Sequence, residues 1–163
     1  MDRQSLVEHS LSQSIRAISP LSPNLVEELM EEMKGEYIRQ YLLGIGGADK
    51  MTASDWGSIG GMLREQYRYL KGFADSLVGL SERQIAARIA MYINSAREAF
   101  ERAKRKAASG ATQERWVMAP EAEHCVDCVD YDSQGWQPIG TFPFPGDGST
   151  ECLTNCRCHK EYR

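Results

Sequence analysis

His124-Cys125-Val126-Asp127-Cys128 and, further on, Cys152-Leu153-Thr154-Asn155-Cys156-Arg157-Cys158-His159 decide how this chain is organised. Cysteine is absent from residues 1 to 124, and all five cysteines follow within a stretch where Gly and Pro also thicken. The two-residue gap between Cys125 and Cys128 lets a tight turn present both sulfurs to one ion, and Cys152, Cys156 and Cys158 supply returning ligands. A segment this poor in apolar residues gains most of its order from such an ion, so a small zinc-ordered module with short β-strands is expected over residues 111–163. Five sulfurs compete for four tetrahedral places, and His124 and His159 add nitrogen donors; spacing leaves the ligand set open. Trp116, Trp136, Phe142 and Phe144, with Pro138, Pro143 and Pro145, read as a mini-core over the metal.

Other uses of these cysteines fit less well. An odd number of closely spaced thiols is a poor disulfide framework. A redox Cys-x2-Cys pair sits at a helix start in an alternating strand and helix chain, a setting that is missing here. Catalytic zinc calls for an open ligand position beside an acid or base, yet the sequence has no His-Glu-x2-His run, and His124 is not followed by the Glu of a deaminase His-x-Glu pattern. The expected role is structural, not enzymatic.

Upstream, residues 1–110 read as mainly α, an antiparallel helical bundle. Ser22-Pro23 with Glu27 and Glu28 marks a helix start, Val26, Leu29, Met33, Tyr37 and Tyr41 carry its apolar face, and Gly44 offers a left-handed stop. The glycine loop Gly44-Ile45-Gly46-Gly47 lacks the Lys-Ser/Thr pair of a phosphate cradle. A second helix begins near Ser54 with Leu63, Tyr67, Leu70, Ala74 and Leu77 on one face; Gly57, Gly60 and Gly61 in its first turns suggest close packing or a loose start. Ser81 and Gln84 form a capping box that opens a third helix running to about Ser109-Gly110, with Ile85, Ile89, Tyr92, Ala96, Ala99 and Ala103 inward. An additional N-terminal helix within residues 4–18 would use Leu6, Leu11, Ile15 and Ile18. Helices with one apolar stripe and a charged opposite face pack on one another.

The chain of 163 residues carries a formal net charge of -4, which gives no global attraction to nucleic acid. A local exception is the basic stripe Arg97, Arg102, Lys104, Arg105 and Lys106, read first as a helix end complementing its own dipole and second as a phosphate-contacting face. No apolar run approaches the roughly 20 residues that span a bilayer, and the polar opening does not start a signal peptide. The protein is expected to remain in the compartment where it is made, without membrane or small-molecule partners.

Trp116, Cys125-x2-Cys128, Gly135-Trp136, Pro143-Phe144-Pro145-Gly146 and the closing Asn155-Cys156-Arg157-Cys158 resemble the C-terminal end of tailed-bacteriophage minor head proteins, the head-morphogenesis group that includes the Mu F-like and SPP1 gp7-like proteins. Leu63 to Leu70, Phe73-Ala74 and Leu80 to Ile85 extend the likeness over roughly residues 40–163. The resemblance implies zinc as cofactor, with Cys128, Cys152, Cys156 and Cys158 at the ligand positions and Cys125 as an extra candidate. One spacing departs, since Cys152 stands four residues before Cys156 where the family carries a His three before. The resemblance further implies a non-enzymatic virion component of the head or head-tail connection, made in the host bacterial cytoplasm. It would contact portal or capsid proteins, with self-association and contact with packaged DNA left open, and support head assembly or genome packaging. The alternative from another class is a zinc-containing nucleic-acid-binding protein that uses the basic stripe.

Overall fold

The computed structural model describes residues 2–163. It is mainly helical, with a small antiparallel sheet and the cysteines gathered near the C-terminus. Helix α1 (Arg3–Ala17) is capped by Asp2, whose carboxylate accepts the Ser5 amide at 2.8 Å. Its inner face is Val7, Leu11 and Ser14, while Leu6 points outward, 37% exposed, contrary to the expected stripe.

Helix α2 (Leu25–Ile45) is the element on which the other helices pack: α1, α3 (Ala53–Tyr69), α5 (Glu82–Asn94) and α6 (Arg97–Ala107) all lie against it. The expected face is found, with Leu29, Met33, Tyr37 and Tyr41 buried. Its ends differ from the reading of the sequence. Ser22 accepts the Asn24 amide and donates to Glu28, so it orders the turn before the helix, and Asn24 holds the cap position. The left-handed stop is Gly46, at φ 96°, two residues beyond Gly44.

Gly44 serves packing instead. A Cβ there would collide with the Phe100 carbonyl oxygen and lie 2.7 Å from the Ala103 Cβ, so the missing side chain is what lets α2 and α6 approach. Gly44→Ala is therefore expected to destabilise the protein by about 1–3 kcal/mol, as overpacking of a tight core does. Thermal unfolding followed at 222 nm measures this, and an unchanged midpoint would refute close α2–α6 contact.

Helix α3 starts with a capping box, in which Asp55 accepts the Thr52 amide at 2.8 Å. Its start is therefore firmly held, and a side chain at Gly57, Gly60 or Gly61 would meet no neighbouring element: only the Arg64 tip comes within 4 Å of an added Cβ at Gly60 and Gly61. The apolar stripe breaks after Leu70, the C-cap of α3, where Gly72 at φ 75° turns the chain and resets the phase. Phe73 of the short α4 (Phe73–Ser76) becomes the buried residue, and Ala74 is exposed.

The Ser81–Gln84 capping box is present, but the long third helix is two helices, α5 and α6, separated at Ser95-Ala96. The Ser95 hydroxyl donates back to the Tyr92 carbonyl at 2.6 Å and meets the Tyr37 hydroxyl at 2.8 Å, a side-chain competition that bends helices. Among the described residues, no helix is long and apolar enough to cross a membrane.

The C-terminal part has its own apolar cluster of Trp116, Phe142, Cys128, Cys156 and Cys158. Strand β1 (Gln113–Val117) sits centrally, paired antiparallel with β2 (Gln137–Pro138) and with β3 (His159–Tyr162), placing Trp116 opposite Lys160. Helix α7 (Val126–Ser133) packs on β1. This part is seated on α5 and α6: Thr154 donates to the Met91 carbonyl at 2.9 Å, Asn94 donates to Asn155 at 2.9 Å, and the Lys160 amide donates to Glu101 at 3.2 Å.

Candidate metal centre

Cys125 is the N-cap of α7 and Cys128 lies in its first turn, so the Cys-x2-Cys segment is a helix start, and the three-residue spacing puts both side chains on one face. Their sulfurs are 3.4 Å apart. The loop bearing Cys152 is tied to that turn by Asp127, whose carboxylate accepts the Glu151 amide at 2.7 Å. Cys152 Sγ thereby stands 3.5 Å from Cys125 Sγ and 3.7 Å from Cys128 Sγ. Cys156 follows a 3-10 turn over Leu153–Asn155, in which Leu153 adopts a left-handed φ of 52°, and its sulfur lies 3.6 Å from that of Cys128. Cys158 precedes β3 and is fixed by the sheet.

All five sulfurs come together, in two groups: Cys125, Cys128 and Cys152, and Cys128, Cys156 and Cys158. Within each group the sulfurs lie within 4.8 Å of one another, and these are ligand distances that can hold a metal ion. Tetrahedral zinc with Zn–S bonds of about 2.3 Å spaces its sulfurs about 3.8 Å apart, close to the observed separations. A disulfide would need about 2.05 Å, and all five cysteines are free thiols.

The surroundings suit thiolates. Cys128, Cys156 and Cys158 are buried, whereas Cys125 and Cys152 form a partly exposed edge. Trp116, Tyr131 and Phe142 cover the cluster, with Trp116 and Tyr131 ring centres 5.1 Å apart. The buried Trp116 indole N–H has no oxygen or nitrogen partner. Hydrogen bonding from the Cys156 thiol, and further from Trp116, Cys128 and His124, brings the Cys158 thiol down to about 5. Burial would raise Cys125, but the amides and thiols of Cys128 and Cys152 outweigh it and hold the group below the ordinary thiol value. Cys128 is pushed up by burial and Cys156 by its bond to Cys158.

The two histidines part company. His124 Nδ1 is 3.7 Å from Cys158 Sγ, and its Nε2 is 2.8 Å from the Ala119 carbonyl. His159 lies in β3, belongs to neither sulfur group, and its Nδ1 is buried without a partner.

The five cations singled out in the sequence do not form one stripe. Arg97 is 2% exposed and forks onto Glu8 of α1, which corrects its assignment as a nucleic-acid contact: a guanidinium enclosed in an ion pair offers nothing to a phosphate. Arg102 pairs with Glu98 at 2.6 Å and Lys106 with Asp55 at 2.5 Å. Lys104 lies over Phe100, and Arg105 over Phe144 at 5.7 Å. Lys104 and Arg105 are the two of the five without a carboxylate partner among the described residues.

Sequence reasoning missed the charged groups beneath the sheet. Lys160 and Glu114, both 0% exposed, pair at 2.8 Å. Glu101 of α6, also 0% exposed, faces the same strand. Nothing in the spacing of these residues distinguishes them from ordinary surface charges. Comparison with family models, with curated proteins and with solved structures finds no match to this chain.

Proposed function

We propose that this chain is a structural component of a tailed-bacteriophage head, a minor head protein near the portal that supports head assembly or DNA packaging. In this reading the helices, packed as an antiparallel bundle, form the docking body, and zinc holds the C-terminal module rigid. The observation that carries the zinc part is the convergence of the other four sulfurs on buried Cys128, those of Cys125, Cys152 and Cys156 at 3.4 to 3.7 Å and that of Cys158 within 4.8 Å, under Trp116 and Phe142. An inner face closed over by aromatic residues suits a structural ion, which needs its ligands satisfied and no substrate path. The virion part is supported by the sequence resemblance, whose Trp116, Cys125, Cys128, Cys156 and Cys158 are the residues that meet in this module.

Particles purified from cells expressing the complete phage head genes test the reading. The protein is expected to travel with portal-containing shells and to carry zinc by elemental analysis. A chain that stays out of every particle overturns the head assignment, and a reduced, folded chain free of bound metal overturns the zinc assignment. The nucleic-acid alternative predicts binding that weakens steeply with salt, and it has lost Arg97 to an internal ion pair.

A further inference from the structure

Six soft donors surround the cluster where one tetrahedral ion takes four. Among the described residues no four sulfurs lie mutually within 4.8 Å; the arrangement is two triads with Cys128 in both. An ion seated on either triad therefore has three of the five sulfurs gathered around it at that distance. A thiolate has lone pairs enough to bridge two ions, and Cys128 is the sulfur that both triads share.

His124 is the nitrogen donor beside one half. Its Nε2 faces the Ala119 carbonyl at 2.8 Å, an acceptor only, so that nitrogen carries the proton and Nδ1 keeps its lone pair free. Nδ1 is turned toward Cys158, 3.7 Å away. A histidine whose other N–H is spent on a backbone carbonyl is the usual form of a metal-bound imidazole. His124 reaches Cys158 but is not within 4.8 Å of all three sulfurs, so Cys128, Cys156, Cys158 and His124 close to a set of four only when a bound ion draws the imidazole in. Cys125, Cys128 and Cys152 make a set of three, with its fourth place open on the partly exposed side.

We propose that the module binds two zinc-like ions that share the Cys128 sulfur, one in the closed Cys128/Cys156/Cys158/His124 site and one in the open Cys125/Cys128/Cys152 site. The inference rests on the zinc reading above and specifies its stoichiometry and ligands. The test is native mass spectrometry of the reduced full chain after loading with zinc or cadmium and gel filtration, beside the Cys125→Ser/Cys152→Ser double variant. Wild type is expected to retain two ions and the double variant one, with a native circular dichroism spectrum. Cadmium-113 spectra of the wild type are expected to show two resonances, and of the variant one. A wild-type chain that saturates at one ion overturns the two-ion cluster while leaving the zinc reading intact. A double variant that retains none overturns the independent closed site. A wild type that holds no ion overturns both this proposal and the zinc reading.

Discussion

Cys128→Ser is expected to abolish metal binding and to unfold the sheet and α7 while most of the helical signal survives. Cys128 is the vertex common to both sulfur triads, is 1% exposed, and its replacement leaves neither triad with three thiolates. Structural zinc contributes about 10–16 kcal/mol of apparent binding energy in small modules, as much as or more than the roughly 5–15 kcal/mol by which whole domains are stable. The part it orders has few other resources: Trp116 and Phe142 are its large buried apolar side chains apart from the cysteines themselves. The helices have a separate core around Leu29, Met33, Tyr37, Ile89 and Phe100. Metal content and a red shift of the buried Trp116 fluorescence report the loss, with ellipticity at 222 nm reporting the helices. Full zinc content in Cys128→Ser would remove the shared vertex from the account. Cys125→Ser, at the partly exposed edge of one triad, should leave the fold in place.

Local rules made the helical region legible wherever a side chain acts on its own backbone. The Ser81–Gln84 capping box and the apolar spacing from Leu29 to Tyr41 are such cases, and both stand in the structure. The misreadings came from contacts that the spacing does not encode. Ser95 breaks the long helix partly through Tyr37, 58 residues away in the chain, and Gly44 looks like a stop until Phe100 is brought against it. The cysteines were legible as a group because no packing need explains five thiols in so polar a stretch. Their division into two triads depends on Asp127 holding the Cys152 loop and on the 3-10 turn before Cys156, neither of which spacing reveals. Arginine is almost always a surface residue, and only the arrival of Glu8 from α1 makes the burial of Arg97 tolerable.

Lys160→Met should be the most damaging change outside the cysteines. The lysine side chain is wholly buried between the sheet and α6, with Nζ 2.8 Å from Glu114 and 3.0 Å from the Phe142 carbonyl, and 4.7 Å from the centre of the Phe144 ring. Glu114 in turn accepts the Phe142 amide at 2.9 Å, so one ion pair fixes both the strand order and the loop that carries the aromatic cover. Removing the cation strands a buried carboxylate, which typically costs about 3–5 kcal/mol, whereas replacing both partners is far milder. Lys160→Met/Glu114→Gln is therefore expected to recover a large part of the loss, since Gln keeps the acceptor for Phe142, and a double-mutant cycle measures the coupling. Glu101 adds a pH dependence of known sign. Burial raises its pKa above the ordinary carboxyl value, against the pull of Lys104 and Lys160, so in the folded chain it binds its proton more tightly than in the unfolded one. Its contribution to stability is then fully present below the unfolded pKa of about 4.3 and is lost as pH rises through the folded value. Glu101→Gln should gain on the wild type between pH 4 and pH 7, and denaturant midpoints at the two pH values decide it. If the single Lys160→Met variant unfolds at the wild-type denaturant concentration, the buried pair contributes nothing to holding the module on α6.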